Sequence, residues 1–362
     1  MIPQDLETGT QRTVARRSGP RLFASVQPPL FIVAALTVFL GRSAAWAQPF
    51  RLPTANRYLF EKGAEDRFFA ATPGKTWTTG CFGCVRSDGW QMHEGLDIRC
   101  LQRDRQGEPT DAVMATADGT VAYINLRPSL SNYGNYVVLR HLVEGLEVYS
   151  LYAHLGSVRS GLKPGQSLKA GDPIGVMGRT SNTRSRISKD RAHVHFELNL
   201  LLNERFAAWH RKAFPDQRND HSVWNGQNLA GLDPRAILLG ESEQGARFSL
   251  LNFVRGQTEL CRVLVRQRQF PWLERYRPLV RPNARAEREG MAGYELALNF
   301  AGVPFEATPR AESEIKGKAR FQLLSVNEAE SQRNPCRKLV TRRAGQWELA
   351  NPGVRLLELL TF

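Results

Sequence analysis

His193-Val194-His195-Phe196-Glu197-Leu198 is the stretch on which the fold turns. Side chains two apart along a strand share a face. His193, His195 and Glu197 therefore look one way, and Val194, Phe196 and Leu198 the other. The apolar set faces a core, which leaves the two imidazoles facing a common space. Upstream, Leu151-Tyr152-Ala153-His154-Leu155 repeats the pattern, with Tyr152 and His154 opposite Leu151, Ala153 and Leu155. A third string, His93-Glu94-Gly95-Leu96-Asp97, brings a histidine and a carboxylate close together in the chain.

These residue types are the ingredients of a catalytic zinc site, which takes three His or carboxylate ligands and keeps one position open. His93, Asp97 and one member of the His193/His195 pair supply two imidazoles and one carboxylate; spacing alone does not tell which histidine of the pair ligates. The histidines left over, His154 among them, would orient and deprotonate a water, polarise a carbonyl and stabilise an oxyanion. Strands give the rigid placement such a site needs. Glu197 reads either as the partner of a ligand or as a solvated strand residue. His141, His210 and His221 have no comparable setting and read as structural or surface residues.

Around these strings, residues 76–198 are short β runs between Gly, Pro, Asn and Asp turns, with strands expected at 121–124, 136–139, 146–155 and 174–177. That even spacing argues for a mainly β domain with an antiparallel sheet or barrel-like core. Residues 203–214 carry a helical rhythm and stop before Pro215. Glu241-Ser242-Glu243-Gln244-Gly245 reads as a linker, dividing a domain over 76–240 from a smaller β-rich or α+β module over 241–362. In that module 248–254, 260–265, 294–300, 321–326 and 337–340 read as strands, and 353–360 as a closing helix or strand. Residues 48–75 read as an N-terminal extension packed on the domain.

With 362 residues, 42% hydrophobic and 23% charged, the chain suits two domains and is neither a disordered tail nor a multi-span membrane protein. A net charge of +14 favours anionic partners, but no polybasic block is present, which argues against a dedicated nucleic-acid reader. Arg12, Arg16, Arg17 and Arg21 precede an apolar run over 30–40, and Ala45-Trp46-Ala47 follows just before Gln48. This is the pattern of a secretory signal peptide over 1–47. The apolar run falls short of the about 20 residues a spanning helix needs, though an uncleaved anchor is the alternative. The expected location is periplasmic, secreted or cell-envelope, with membrane contact only through the signal segment.

Export favours disulfides. Cys261 and Cys336 are the only cysteines of the C-terminal half and are expected to pair, leaving an odd thiol among Cys81, Cys84 and Cys100. Cys81-Phe82-Gly83-Cys84 reads as structural, because no thioredoxin-like βαβ pattern surrounds it; an exported redox protein is the rival it would otherwise support.

From about Thr79 to Leu198 the chain resembles the lysostaphin/LytM-type zinc metallopeptidases, which cut peptide cross-links of bacterial peptidoglycan. The resemblance rests on Phe82-Gly83, the H-x-G-x-D string at His93–Asp97, Ala115-Thr116-Ala117-Asp118-Gly119-Thr120-Val121 and Tyr133-Gly134-Asn135-Tyr136-Val137. It continues through Tyr152-Ala153-His154-Leu155, Gly165-Gln166, Gly171-Asp172-Pro173-Ile174-Gly175 and His193-Val194-His195-Phe196-Glu197. It implies the duplicated hybrid motif fold, Zn²⁺ on His93, Asp97 and His195, and His154 and His193 as catalytic residues that do not bind metal. The implied substrates are peptidoglycan stem peptides and cross-links, and the implied chemistry is hydrolysis by an activated water assisted by two histidines. Some members of that family have lost their ligands and activate cell-wall amidases instead; here all five positions are filled. Two departures stand out. The segment 181–192 is longer than the family's turn, lacks glycine, and carries Arg184, Arg186, Lys189 and Arg191, cations suited to peptide carboxylates or to a solvated loop. In addition, Cys81, Cys84 and Cys100 flank the first motif, and a disulfide among them is expected to pin the loop leading to His93.

Overall fold

The computed structural model describes residues 50–183 and 187–362. The expected signal segment and Arg184 and Arg186 lie outside the described residues. The strands are β1 (Gly83–Arg86), β2 (Gln91–His93), β3 (Leu96–Arg99), β4 (Ala112–Met114), β5 (Gly119–Asn125) and β6 (Tyr136–Val143). Then come β7 (Leu146–Ala153), β8 (Ser157–Val158), β9 (Ser167–Leu168), β10 (Pro173–Val176), β11 (His193–Leu201) and β12 (Leu229–Leu232). The C-terminal third adds β13 (Cys261–Val265), β14 (Met291–Leu298), β15 (Pro304–Ala311), β16 (Phe321–Val326), β17 (Val340–Arg343) and β18 (Gln346–Leu349).

The central sheet runs β12-β11-β7-β6-β5-β9, and β3 pairs with the first half of β11. Every ladder in it is antiparallel. The expected mainly β, antiparallel fold is therefore what forms. All of β11 is buried: Val194, Phe196, Leu198 and Leu200 belong to the main core, while the histidine face is covered too. A three-stranded sheet (β4-β10-β8) and the β1-β2 hairpin flank this sheet in sequence, and β15-β14-β13-β16 form a separate four-stranded sheet. The buried apolar cluster nevertheless extends from Phe50 to Leu360. Among the described residues no helix is long and apolar enough to cross a membrane.

Several local expectations are corrected. The stretch 248–254 is not a strand: Leu250–Arg255 is a helix whose first turn is capped by Ser249 Oγ, accepting the Asn252 N–H at 3.1 Å. Leu250 and Val254, one turn apart, are its buried residues. Glu241–Gln244 is not a linker but the end of the helix Pro234–Gln244, started by proline at its first position and by Asp233 Oδ1 accepting the Arg235 N–H at 2.9 Å. Glu241 is buried there, and both its oxygens accept the Phe50 N–H, at 3.2 and 3.0 Å. Asn351–Leu360 is a helix, and the strand expected over 337–340 begins only at Val340.

The cysteine expectations fail. Cys84 is bonded to Cys336, with Cα atoms 5.4 Å apart, while Cys261, Cys81 and Cys100 are free thiols. Cys261 opens β13, between β14 and β16, and is fully buried, while Cys336 is taken by Cys84. No bridge links Cys81, Cys84 and Cys100. The loop leading to His93 is instead pinned from the far end of the chain, because β1 lies against the segment carrying Cys336.

Candidate active site

The register of β11 brings the predicted residues together. His195 stands opposite Asp97 of β3 on one side and Ala153 of β7 on the other. His154 follows Ala153 directly, at φ 61°, in the left-handed region that few non-glycine residues adopt. Its ring comes to 4.9 Å from that of His193 and 6.0 Å from that of His195, centroid to centroid. His93 ends β2, with its ring centroid 4.9 Å from that of His195. Gly95 makes this crossing possible: a Cβ there would lie 2.2 Å from the Phe196 carbonyl oxygen.

Three donor atoms converge: His93 Nε2, Asp97 Oδ1 and His195 Nδ1. They lie 3.0 Å (His93–Asp97), 3.0 Å (His195–Asp97) and 3.2 Å (His93–His195) apart. Tetrahedral zinc with bonds of about 2.0–2.2 Å sets its ligand atoms about 3.3–3.5 Å apart, so the triangle fits with shifts of a few tenths of an ångström. The outer nitrogens fit as well. His93 Nδ1 is 2.7 Å from the Cys81 carbonyl, which can only accept, so Nδ1 carries the proton and Nε2 the lone pair. His195 Nε2–H donates to Glu197 Oε1 at 2.8 Å, which leaves Nδ1 as the nitrogen that faces Asp97.

Glu197, ambiguous in the sequence, is thus the partner of His195. Its Oε1 also accepts the Tyr133 hydroxyl at 2.7 Å, and its Oε2 accepts Asn199 Nδ2 at 2.8 Å. Burial works against the charge on Asp97, but the surrounding histidines outweigh it and hold the carboxyl well below its usual range. Burial also opposes protonation of His195, yet Asp97 and Glu197 on its two nitrogens raise its pKa to about 10, so without a cation Nδ1 carries a second proton that metal binding would release.

His154 and His193 are arranged alike, but their lone pairs do not join the triangle. His154 Nδ1–H donates to the Thr180 carbonyl at 2.9 Å, and His193 Nδ1–H to the Arg191 carbonyl at 2.5 Å. Each therefore keeps an unprotonated Nε2. Burial lowers the pKa of both, and the neighbouring His193 and His195 lower that of His154 further, so both are neutral bases near pH 7. All five residues line one cleft of about 760 Å³, shared with Tyr133, Gln91 and Asn132.

Sequence reasoning missed Arg86, whose Nη2 is 2.5 Å from Asp97 Oδ2. It placed Arg191 only among loop cations, whereas its guanidinium is 3.9 Å from the same oxygen. Lys189 faces away, 3.4 Å from Glu108. His221, read as structural or surface, lines the cleft and lies 3.0 Å from the Tyr123 hydroxyl. His141 and His210 are buried elsewhere, as structural residues. The Tyr133 motif was visible, but its hydroxyl contact depends on a fold-level approach that no spacing encodes.

Residues 91–206 match the family described as Peptidase family M23. Over these residues the chain is similar to M23 peptidase domains. None of the curated proteins is detectably similar in sequence. Among solved structures, a zinc-containing peptidase from Vibrio cholerae is 28% identical over 30% of this chain and 26% of its own, with a TM-score of 0.22. Csd3 from Helicobacter pylori is 25% identical over 30% of this chain and 23% of its own, with a TM-score of 0.22. The catalytic domain of the antimicrobial peptidase lysostaphin from Staphylococcus simulans is 19% identical over 44% of this chain and 87% of its own, with a TM-score of 0.27. The chain thus spans about a quarter of the first two neighbours' length.

Proposed function

We propose that this M23 domain is the catalytic part of an exported zinc endopeptidase that hydrolyses peptide cross-links of peptidoglycan. Zn²⁺ is held by His93, Asp97 and His195, and when bound it supplies Lewis acidity. The observation that carries the reading is the hydrogen-bond pattern: four imidazoles each set one nitrogen against an oxygen, the other nitrogens of His93 and His195 converge with Asp97, and those of His154 and His193 line the cleft.

His193 and His154 do the proton work. An Nε2 whose partner Nδ1–H is tied to a carbonyl is a base in a fixed direction, able to take a proton from an attacking water. Once charged, the same group donates to the departing amine or to the oxygen anion that develops at the scissile carbonyl. Their lowered pKa values keep both ready to accept at neutral pH. Tyr133, tied to Glu197, closes the wall beside His195, their rings 5.8 Å apart. In this reading residues 1–47 are an export signal, and the peptidase domain is followed by a C-terminal accessory module. Amidase activation without catalysis would need none of these protonation arrangements.

The test is to incubate the purified chain with peptidoglycan sacculi, with and without chelator, and to identify released fragments by mass. Release of new peptide ends that chelation abolishes and added zinc restores is expected. Intact sacculi in the presence of zinc would overturn the reading.

A further inference from the structure

We propose that Arg86 is a tethered cation of the metal site, lodged against two of the three ligands, which lowers the affinity of the centre for a divalent cation. The inference rests on the reading of His93, Asp97 and His195 as ligands. Arg86 closes β1, and its Nη2 lies 2.5 Å from Asp97 Oδ2 and 3.1 Å from His93 Nε2. Because His93 Nδ1–H is committed to the Cys81 carbonyl, Nε2 has one lone pair, and the guanidinium donates into it. A cation bound by His93 needs that same lone pair. A guanidinium has no lone pair to offer and keeps its proton at every relevant pH, so it cannot become a ligand. Arg86 must therefore withdraw for the centre to fill.

Arg86 could act in the opposite sense, by holding Asp97 so that Oδ1 faces the histidines. The structure makes that service redundant. Asp97 is set in β3 directly opposite His195, is almost fully buried, and has the Arg191 guanidinium 3.9 Å from the same Oδ2. Among the described residues no other lysine or arginine contacts His93 Nε2, so removal of Arg86 takes the cation off that nitrogen while Asp97 stays in place. The charge acts in the same direction, since a positive group a few ångströms from a divalent cation repels it.

Arg86 can withdraw only a short way. Two residues before it, Cys84 is bonded to Cys336, and its own Nη1 is 2.5 Å from Thr72 Oγ1. The disulfide fixes the backbone of β1, while the side chain, 18% exposed, has the cleft to turn into. The displaced charge then stays in the substrate's space.

The test measures zinc affinity of the purified full chain by competition with a chromophoric chelator, for wild type, Arg86→Gln and Arg86→Met. Melting curves of the chelator-treated proteins confirm that each variant is folded. Both variants are expected to bind zinc about tenfold or more tightly than wild type, and to load faster. Affinity equal to or weaker than wild type in folded variants overturns the proposal and makes Arg86 a holder of Asp97. If the folded wild type takes up no zinc at all, the ligand reading itself fails and this inference falls with it.

Discussion

Replacement of Glu197 separates what its charge does from what its hydrogen bonds do. The carboxylate is 1% exposed and receives three donors: His195 Nε2–H and the Tyr133 hydroxyl on Oε1, and Asn199 Nδ2 on Oε2. In Glu197→Ala the buried His195 and Asn199 donors are left without partners, and the half-buried Tyr133 hydroxyl loses its acceptor. At about 1–3 kcal/mol for each unsatisfied buried group, that variant is expected to lose several kcal/mol of stability. Glu197→Gln behaves differently. Its amide oxygen keeps His195 and Tyr133, and its NH₂ turns toward Asn199. Asn199 Oδ1 is buried with no partner, so rotation of the Asn199 amide offers it as the acceptor, and the network closes again.

Glu197→Gln should therefore cost no more than about 1 kcal/mol in denaturant unfolding of chelator-treated protein. Its loss appears instead at the metal. Without the anion on Nε2, His195 Nδ1 is a poorer donor, and zinc affinity is expected to fall about 10–100-fold, the usual consequence of removing the carboxylate behind a ligating histidine. Urea denaturation and chelator competition, run on the same three proteins, check both halves. Zinc affinity unchanged in Glu197→Gln would refute the argument that Glu197 acts through His195. A stability loss as large as that of Glu197→Ala would refute the amide rotation.

His195→Ala should lose zinc and activity together, whereas His154→Ala should retain zinc, measured by elemental analysis, and lose turnover by about 100-fold or more. Mass mapping without reductant should find Cys84 joined to Cys336 and a free thiol at Cys261. Cys336→Ser is expected to cost about 2–4 kcal/mol in denaturation, since the bond closes a loop with a sequence separation of 252. His141, buried between the Asp118 carbonyl (2.8 Å) and Ser150 Oγ (2.7 Å), has its pKa pushed down to about 4 by burial. The unfolded chain then binds the extra proton between pH 6.5 and 4, so this stability is complete above 6.5 and drains away as the pH falls toward 4. The loss amounts to at most about 3 kcal/mol; the pH slope of unfolding in this window should be shallower in His141→Gln, and an identical slope would show that His141 does not carry it.

What could be read in the sequence follows from the range over which each cause acts. The alternation in His193–Leu198 is a property of the local strand, so the inward histidines and the outward core residues were legible together. The short run Leu250-Leu251-Asn252-Phe253-Val254 is too brief to separate a period of 2 from one of 3.6, and the cap at Ser249 decided it for helix. Arg86 and Cys84 were beyond reach for another reason. Their partners are set by how the β1-β2 hairpin, with its bulge between Cys84 and Arg86, lies over β3 and beside Cys336.

The choice between His193 and His195 shows the limit most clearly. Both lie on one face of β11, so alternation treats them as equals. The difference is the register of β3, which sets His195 against Asp97 and His193 against Arg99. That register leaves Gly95 so close to the Phe196 carbonyl that no Cβ fits. A slip of one residue would turn Asp97 to the opposite face and replace its partner. The glycine between His93 and Asp97 was visible from the start as a letter in a motif; its physical meaning is that it lets β3 dock in the one register that brings Asp97 Oδ1 within 3.0 Å of His195 Nδ1.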